Sequence, residues 1–186
     1  MYSEEILKNL LSNSNIKMFC LALYTYKMGD INTPRKNIWV SRKILLKKAD
    51  LLDRTKPKLS ALGVNSLVKI RSDKIFHIPQ VDFKCKISKK NLNFLIKNLK
   101  EMGQNKGFVV QTIRSYHFYG HKLMNNRSWI IFMGRLLRLN GYRSRHLKKV
   151  TDQRWIGASL IRGAGTLRIS SSYNKSSIPK IVYRLN

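Results

Sequence analysis

The chain has 186 residues, is 43% hydrophobic and 10% aromatic, and carries 37 Lys and Arg against 9 Asp and Glu, a formal charge of +28. Apolar content of this order supports a packed core and excludes wholesale disorder. The charge makes a polyanion, nucleic acid above all, the expected partner, with an anionic membrane surface the weaker alternative. No 18-residue apolar run predicts a membrane-spanning helix. The acidic start Met1-Tyr2-Ser3-Glu4-Glu5 has no apolar signal core, so the expected location is intracellular, cytoplasm or nucleoid. Cys20 and Cys85 stand far apart in apolar surroundings, which argues against a zinc site or a disulfide and for two small core residues.

Ser3, followed by Glu4 and Glu5, opens a predicted helix with Ile6, Leu7, Leu10 and Leu11 as its apolar stripe. Residues 16–28 fit either helix or strand. Ser41 is a candidate cap for a helix to about Arg54, and Pro57 closes that region. Residues 66–71 and Lys74–Cys85 alternate like strands, with Ser72-Asp73 as the turn between them. Ser88 caps a helix whose stripe is Leu92, Leu95, Leu99 and Met102, and Gly103 stops it. Residues 107–119 read as the next strand, giving a β-α-β unit whose strands should be parallel or near each other in one sheet. Asn126–Leu139 follows as a helix, with Trp129, Phe132, Met133, Leu136 and Leu137 inward and Arg127, Arg135 and Arg138 outward. Thr166–Ser172 and Ile178–Leu185 are the last strands. The expected class is α+β, an RRM-like or ferredoxin-like mixed sheet covered by helices. Residues 1–73 form an N-terminal helical and hairpin portion and 74–186 the main portion of one compact unit.

Three polar clusters fall at or near strand ends: Gln80-Val81-Asp82-Phe83-Lys84, Ser115-x-His117, and Asp152 with Arg154. From residue 101 onward the only acids are Glu101 and Asp152. An acid isolated in so basic a stretch is ion-paired, a helix cap or functional. The basic run Arg143-Ser144-Arg145-His146-Leu147-Lys148-Lys149 suits phosphate-backbone contact through Arg143, Arg145, Lys148 and Lys149. The turn Arg162-Gly163-Ala164-Gly165 allows close approach to a phosphate but lacks the Lys and the context of a P-loop. His117-x-x-x-His121 lacks a third ligand.

The order of acid on a strand, helix, Ser-x-His, helix, then a further acid and a basic strand resembles the archaeo-eukaryotic primase superfamily. Within it, the likeness is to the small primase-like proteins of bacteria and mobile elements. The segments Ser115–Gly120, Trp129–Leu137 and Asp152–Gly157 carry it, over about residues 74–185. The resemblance implies nucleotidyl transfer on DNA or RNA, with nucleoside triphosphate as substrate and Mg²⁺ or Mn²⁺ as cofactor. It implies Asp82 and Asp152 as metal ligands, and Asp82, His117 and Asp152 as the catalytic set. Ser115, His117, Arg154 and Arg168 would contact the nucleotide, and Arg162 the nucleic acid. The chain departs from the family's Asp-x-Asp: in the register 80–82 Gln80 takes the place of the first Asp, and in the register 82–84 Lys84 takes the place of the second. Nucleic-acid binding without catalysis, including a ribosome-associated role, is therefore the competing expectation. A rolling-circle or relaxase-type nuclease is disfavoured, since the usual His-x-His pair is absent.

Overall fold

The computed structural model describes residues 1–25, 34–142, 149–173 and 176–186. Its class is α+β, as expected, with the strands divided between two antiparallel sheets rather than gathered in one. After helix α1 (Glu4–Leu11) the ambiguous segment is strand β1 (Ile16–Thr25), and β2 (Arg35–Ser41) pairs with it. A short 3-10 turn leads into α2 (Leu45–Thr55), and the long β3 (Ser60–Ile70) pairs with the other edge of β1.

The alternating run Lys74–Cys85 is two short strands in different sheets. Strand β4 (Ile75–His77) pairs with β3, whereas β5 (Gln80–Asp82) pairs with β7 (Tyr116–Gly120). Pro79 lies between them and lacks the N–H a continuous ladder would need, so the chain changes sheets there. Helix α3 (Lys89–Glu101) is capped as expected, with the Asn91 N–H donating to Ser88 Oγ at 3.1 Å, and Gly103 follows at φ 81°.

Residues 107–119 are a hairpin, not one strand: β6 (Gly107–Gln111) turns back into β7. The second sheet runs β5-β7-β6-β9, with β9 (Lys180–Leu185) at its edge. Strands β5 and β6 are thus parallel to each other with β7 between them. Helix α4 (Asn126–Tyr142) buries Trp129, Phe132, Met133, Leu136 and Leu139. Leu137, expected inward, is instead exposed, because it lies off the stripe set by the other five. Helix α5 (Gln153–Arg162) precedes β8 (Thr166–Arg168), which joins the first sheet by pairing with β3. No helix among the described residues is long and apolar enough to cross a membrane.

Two cores result, and the second sheet separates them. Its Val81, Val109, Tyr116 and Phe118 pack with α3, α4 and α5. Phe108, Val110 and Tyr119 pack the other way, toward the first sheet and helices α1 and α2. Strand alternation therefore points residues 80 and 82 of β5, and 117 and 119 of β7, into the space between the sheets.

Candidate functional site

Asp82 and His117 are directly opposed in the β5–β7 register and share the face that looks toward the first sheet. His117 Nε2 lies 3.6 Å from Asp82 Oδ1. The Ser-x-His segment and the first acid are thus brought together. Ser115 is in the β6–β7 turn rather than at a strand end, and its hydroxyl donates to the Phe83 carbonyl, tying the turn to the chain beyond β5.

Asp152 also arrives beside Asp82: its N–H donates to the Asp82 carbonyl at 2.9 Å, and Thr151 bridges Phe83. Its carboxylate has a local task. Oδ1 accepts from the N–H groups of Arg154 (3.0 Å) and Trp155 (3.3 Å), which makes Asp152 the N-cap of α5. Oδ2 faces Lys84 Nζ at 3.9 Å, and Arg154 Nε stands 3.8 Å from Oδ1. Gln80 is fully buried, and its Nε2 donates to the Val64 carbonyl at 3.1 Å, so this residue links β5 to β3 rather than reaching into the cleft.

A cavity of about 70 Å³ opens between the sheets. Tyr24, Arg35, Asp82, His117, Trp155 and Arg168 are among the residues that line it. Arg168 comes from β8, where it is 5% exposed, and its Nη1 donates to the carbonyls of Ser170 and of Ser177, the latter at 2.9 Å. Burial lowers its pKa, against the nearby Tyr24, Tyr119 and Asp82, which raise it. Trp155 Nε1 donates to the Thr166 carbonyl at 3.0 Å, fixing α5 over the start of β8.

Arg35 comes from β2, opposite Tyr24, and holds its guanidinium 4.5 Å from that ring's centroid. Its Nε and Nη1 are buried and meet no hydrogen-bond acceptor among the described residues. Burial lowers the Arg35 pKa. Arg162, the last residue of α5, is half-buried, and burial followed by the charge of Arg35 brings its pKa down to about 10. Sequence reasoning did not find Arg35, Tyr24 or Trp155 as site residues. Arg35 belongs to no motif and reaches the cleft only because β2, β1, β3 and β8 share a sheet.

Of the expected nucleic-acid contacts, Lys149 is exposed and Arg143, Arg145 and Lys148 lie outside the described residues. Arg154 is exposed at the entrance to α5. Two hard divalent ions need several carboxylate oxygens converging on them. Among the described residues no three His, Cys, Asp or Glu side chains gather to hold a metal. Among the described residues Asp82 is the one acid lining the cavity, in company with two arginines, and Asp152 serves the helix and faces cations. This donor set does not fit a two-metal centre.

The model of a protein family described as AEP-like, archaeo-eukaryotic primase 1D-like, matches residues 46–181. The chain belongs to that family. No curated protein matches it. Among solved structures it is similar to the catalytic domain of primase RepB′ in complex with initiator DNA, at TM-score 0.59 and 12% identity, covering 96% of this chain and 83% of that one. Another structure of primase RepB′ gives TM-score 0.58 at 10% identity, and there this chain spans 55% of the other's length. The primase domain of the cyanophage S-2L primase-polymerase gives TM-score 0.55 at 10% identity, covering 98% and 90% of the two chains. At these identities the likeness to solved structures is one of fold.

Proposed function

We propose that this chain is a primase-like module that binds nucleic acid on its basic surface and receives the phosphates of a nucleoside triphosphate in the cleft between its sheets. The observation that carries this reading is the Asp82–His117 pair, opposed on adjacent strands and facing a cavity that Arg35 and Arg168 also line. Guanidinium groups recognise phosphate oxygens through paired, charge-assisted hydrogen bonds, and an imidazole beside them adds a further donor. The charge of +28 supports a nucleic-acid partner, as does the exposed row Arg127, Arg135 and Arg138 on α4. The similar RepB′ domain was solved with initiator DNA, which favours DNA as that partner. Nucleotidyl transfer with Mg²⁺ or Mn²⁺, implied by the family, would require more carboxylate oxygens than the described site assembles, so the proposed role is binding.

The test combines DNA binding at several salt concentrations and nucleoside triphosphate binding with primer-extension and de novo synthesis assays in Mg²⁺ and Mn²⁺. Wild type is compared with Asp82→Ala and His117→Ala. With about four phosphate contacts, counterion release predicts about a hundredfold loss of DNA affinity between 50 and 200 mM salt. The expected result is this steep dependence, nucleotide binding weakened in His117→Ala, and no synthesis with either metal. Synthesis by wild type that disappears in Asp82→Ala would replace the binding role with a catalytic one, and a salt-independent affinity would remove the nucleic-acid partner.

A further inference from the structure

The cleft gathers cations from two separate strands. Arg35 projects from β2 and Arg168 from β8, both into the lining, and Arg162 at the end of α5 lies within electrostatic reach of Arg35. Asp82 is the single acid among the described lining residues. It answers part of this charge, standing beside His117 and close enough to Arg168 to act on its pKa. Like charges buried side by side destabilise a fold unless an anion or a solvent path offsets them. Arg35 is the cation best placed to meet an anion: two of its buried nitrogens meet no acceptor among the described residues, while the Tyr24 ring holds the guanidinium in place. The cavity is small, about 70 Å³, and its walls bring two guanidiniums and an imidazole together, which suits a compact anion such as a phosphate group.

We infer that this cleft binds a terminal phosphate of a nucleotide without a divalent metal, the guanidiniums of Arg35 and Arg168 supplying the positive charge that a metal ion would otherwise supply. The inference rests on the reading that nucleotide phosphates enter this cleft, and it specifies how their charge is met. The phosphate sits between the first sheet, which presents Arg35 and Arg168, and the second, which presents His117. The base and sugar remain outside the cavity. Asp82 offsets part of the positive charge of the wall around the phosphate and stands 3.6 Å from His117 Nε2. The arrangement selects for polyphosphate ends and discriminates little between bases.

The experiment titrates the full chain with ATP and, separately, with inorganic tripolyphosphate, each in EDTA and in Mg²⁺. Heat of binding and the fluorescence of Trp155, which lines the cavity, provide two readouts. The same titrations are run on Arg35→Ala and Arg35→Lys, substitutions in a strand that lies at the edge of its sheet. Expected are binding of both ligands in EDTA with affinity within about threefold of that in Mg²⁺, and a loss of about tenfold or more in Arg35→Ala. Arg35→Lys should recover only part of that loss, because an ammonium keeps the charge but not the planar fork. Binding that requires Mg²⁺ overturns the inference and leaves nucleotide binding standing. Metal-free binding that Arg35→Ala does not weaken also overturns it. No binding of ATP in either condition removes both the inference and the nucleotide reading it rests on.

Discussion

His77 offers a quantitative test of how the two sheets are joined. The imidazole is 2% exposed and stacks on Trp129 with ring centroids 4.4 Å apart and 10° between planes. Ser66 Oγ accepts from the Gly165 N–H at 3.0 Å, which leaves its own proton to donate to His77 Nδ1 at 3.1 Å. Protonating Nδ1 would break that bond as well as charge a buried ring. Burial accordingly pushes the His77 pKa from 6.5 down to about 4, against a hydrogen bond with Asn126 that raises it. Between pH 6.5 and 4 the unfolded chain therefore binds a proton that the folded one refuses. Stability is full above pH 6.5 and falls as the pH drops toward 4, by about 3 kcal/mol in all at 1.36 kcal/mol per pH unit. Urea unfolding followed by tryptophan fluorescence from pH 7.5 to 4 measures this slope. His121, whose pKa is lowered by burial and by Lys106, acts in the same direction, so the His77 share is the difference between wild type and His77→Gln. The variant should be less stable at pH 7 and lose less on acidification. Equal slopes in the two proteins would refute the assignment of a buried, neutral His77.

Two further substitutions separate structural from functional roles. Asp152→Asn keeps an acceptor for the N–H groups of Arg154 and Trp155 and should leave stability within about 0.5 kcal/mol of wild type, whereas Asp152→Ala should cost about 1 kcal/mol in urea unfolding. If Asp152→Asn abolishes nucleotide binding while the fold stays intact, the carboxylate is a ligand and not only a cap. A methyl group at Gly63 would meet Thr166 Cγ2 at 2.8 Å and the Leu167 carbonyl at 2.9 Å, so Gly63→Ala should push β8 from β3 and cost about 1–3 kcal/mol. Because β8 carries Arg168, nucleotide affinity should fall with the melting temperature, and an unchanged melting temperature would contradict the close approach of these strands.

Helix α3 was legible because each signal was local: Ser88 at its start, leucines at helical spacing and Gly103 at its end. The β6–β7 hairpin was hidden because its turn, residues 112–115, is Thr-Ile-Arg-Ser, with none of the Gly, Pro, Asn or Asp that mark most tight turns. It closes instead through side chains, with the Ser115 N–H donating to Thr112 Oγ1 at 3.3 Å and Thr112 Oγ1 donating to the Ser115 carbonyl at 3.1 Å. Helix α5 had its markers, Asp152 before it and Gly163 in a left-handed conformation after it. Its apolar face is narrow, however: only Ile156 and Ser159 are fully buried, which leaves little periodicity to read.

The site itself was half legible, and the division follows sequence distance. Asp82 and His117 belong to strands 35 residues apart that pair directly, and their motifs announce them. The arginines that give the cleft its charge depend on a longer circuit. Strand β3 pairs with β1 along one edge and, along the other, with β4 and β8 placed end to end. Gln80 then links β5 back to β3, so the second sheet is held against the edge that carries Arg168. Residues near both ends of the chain, Arg35 and Arg168, meet only once this circuit closes. A site assembled in this way can exchange carboxylates for arginines without disturbing either sheet, because each cation stands on a strand whose place is fixed by backbone pairing. The architecture shared with primase domains and the proposed phosphate site are therefore compatible: pairing and core packing fix the fold, while a few inward-facing side chains set the charge of the cleft.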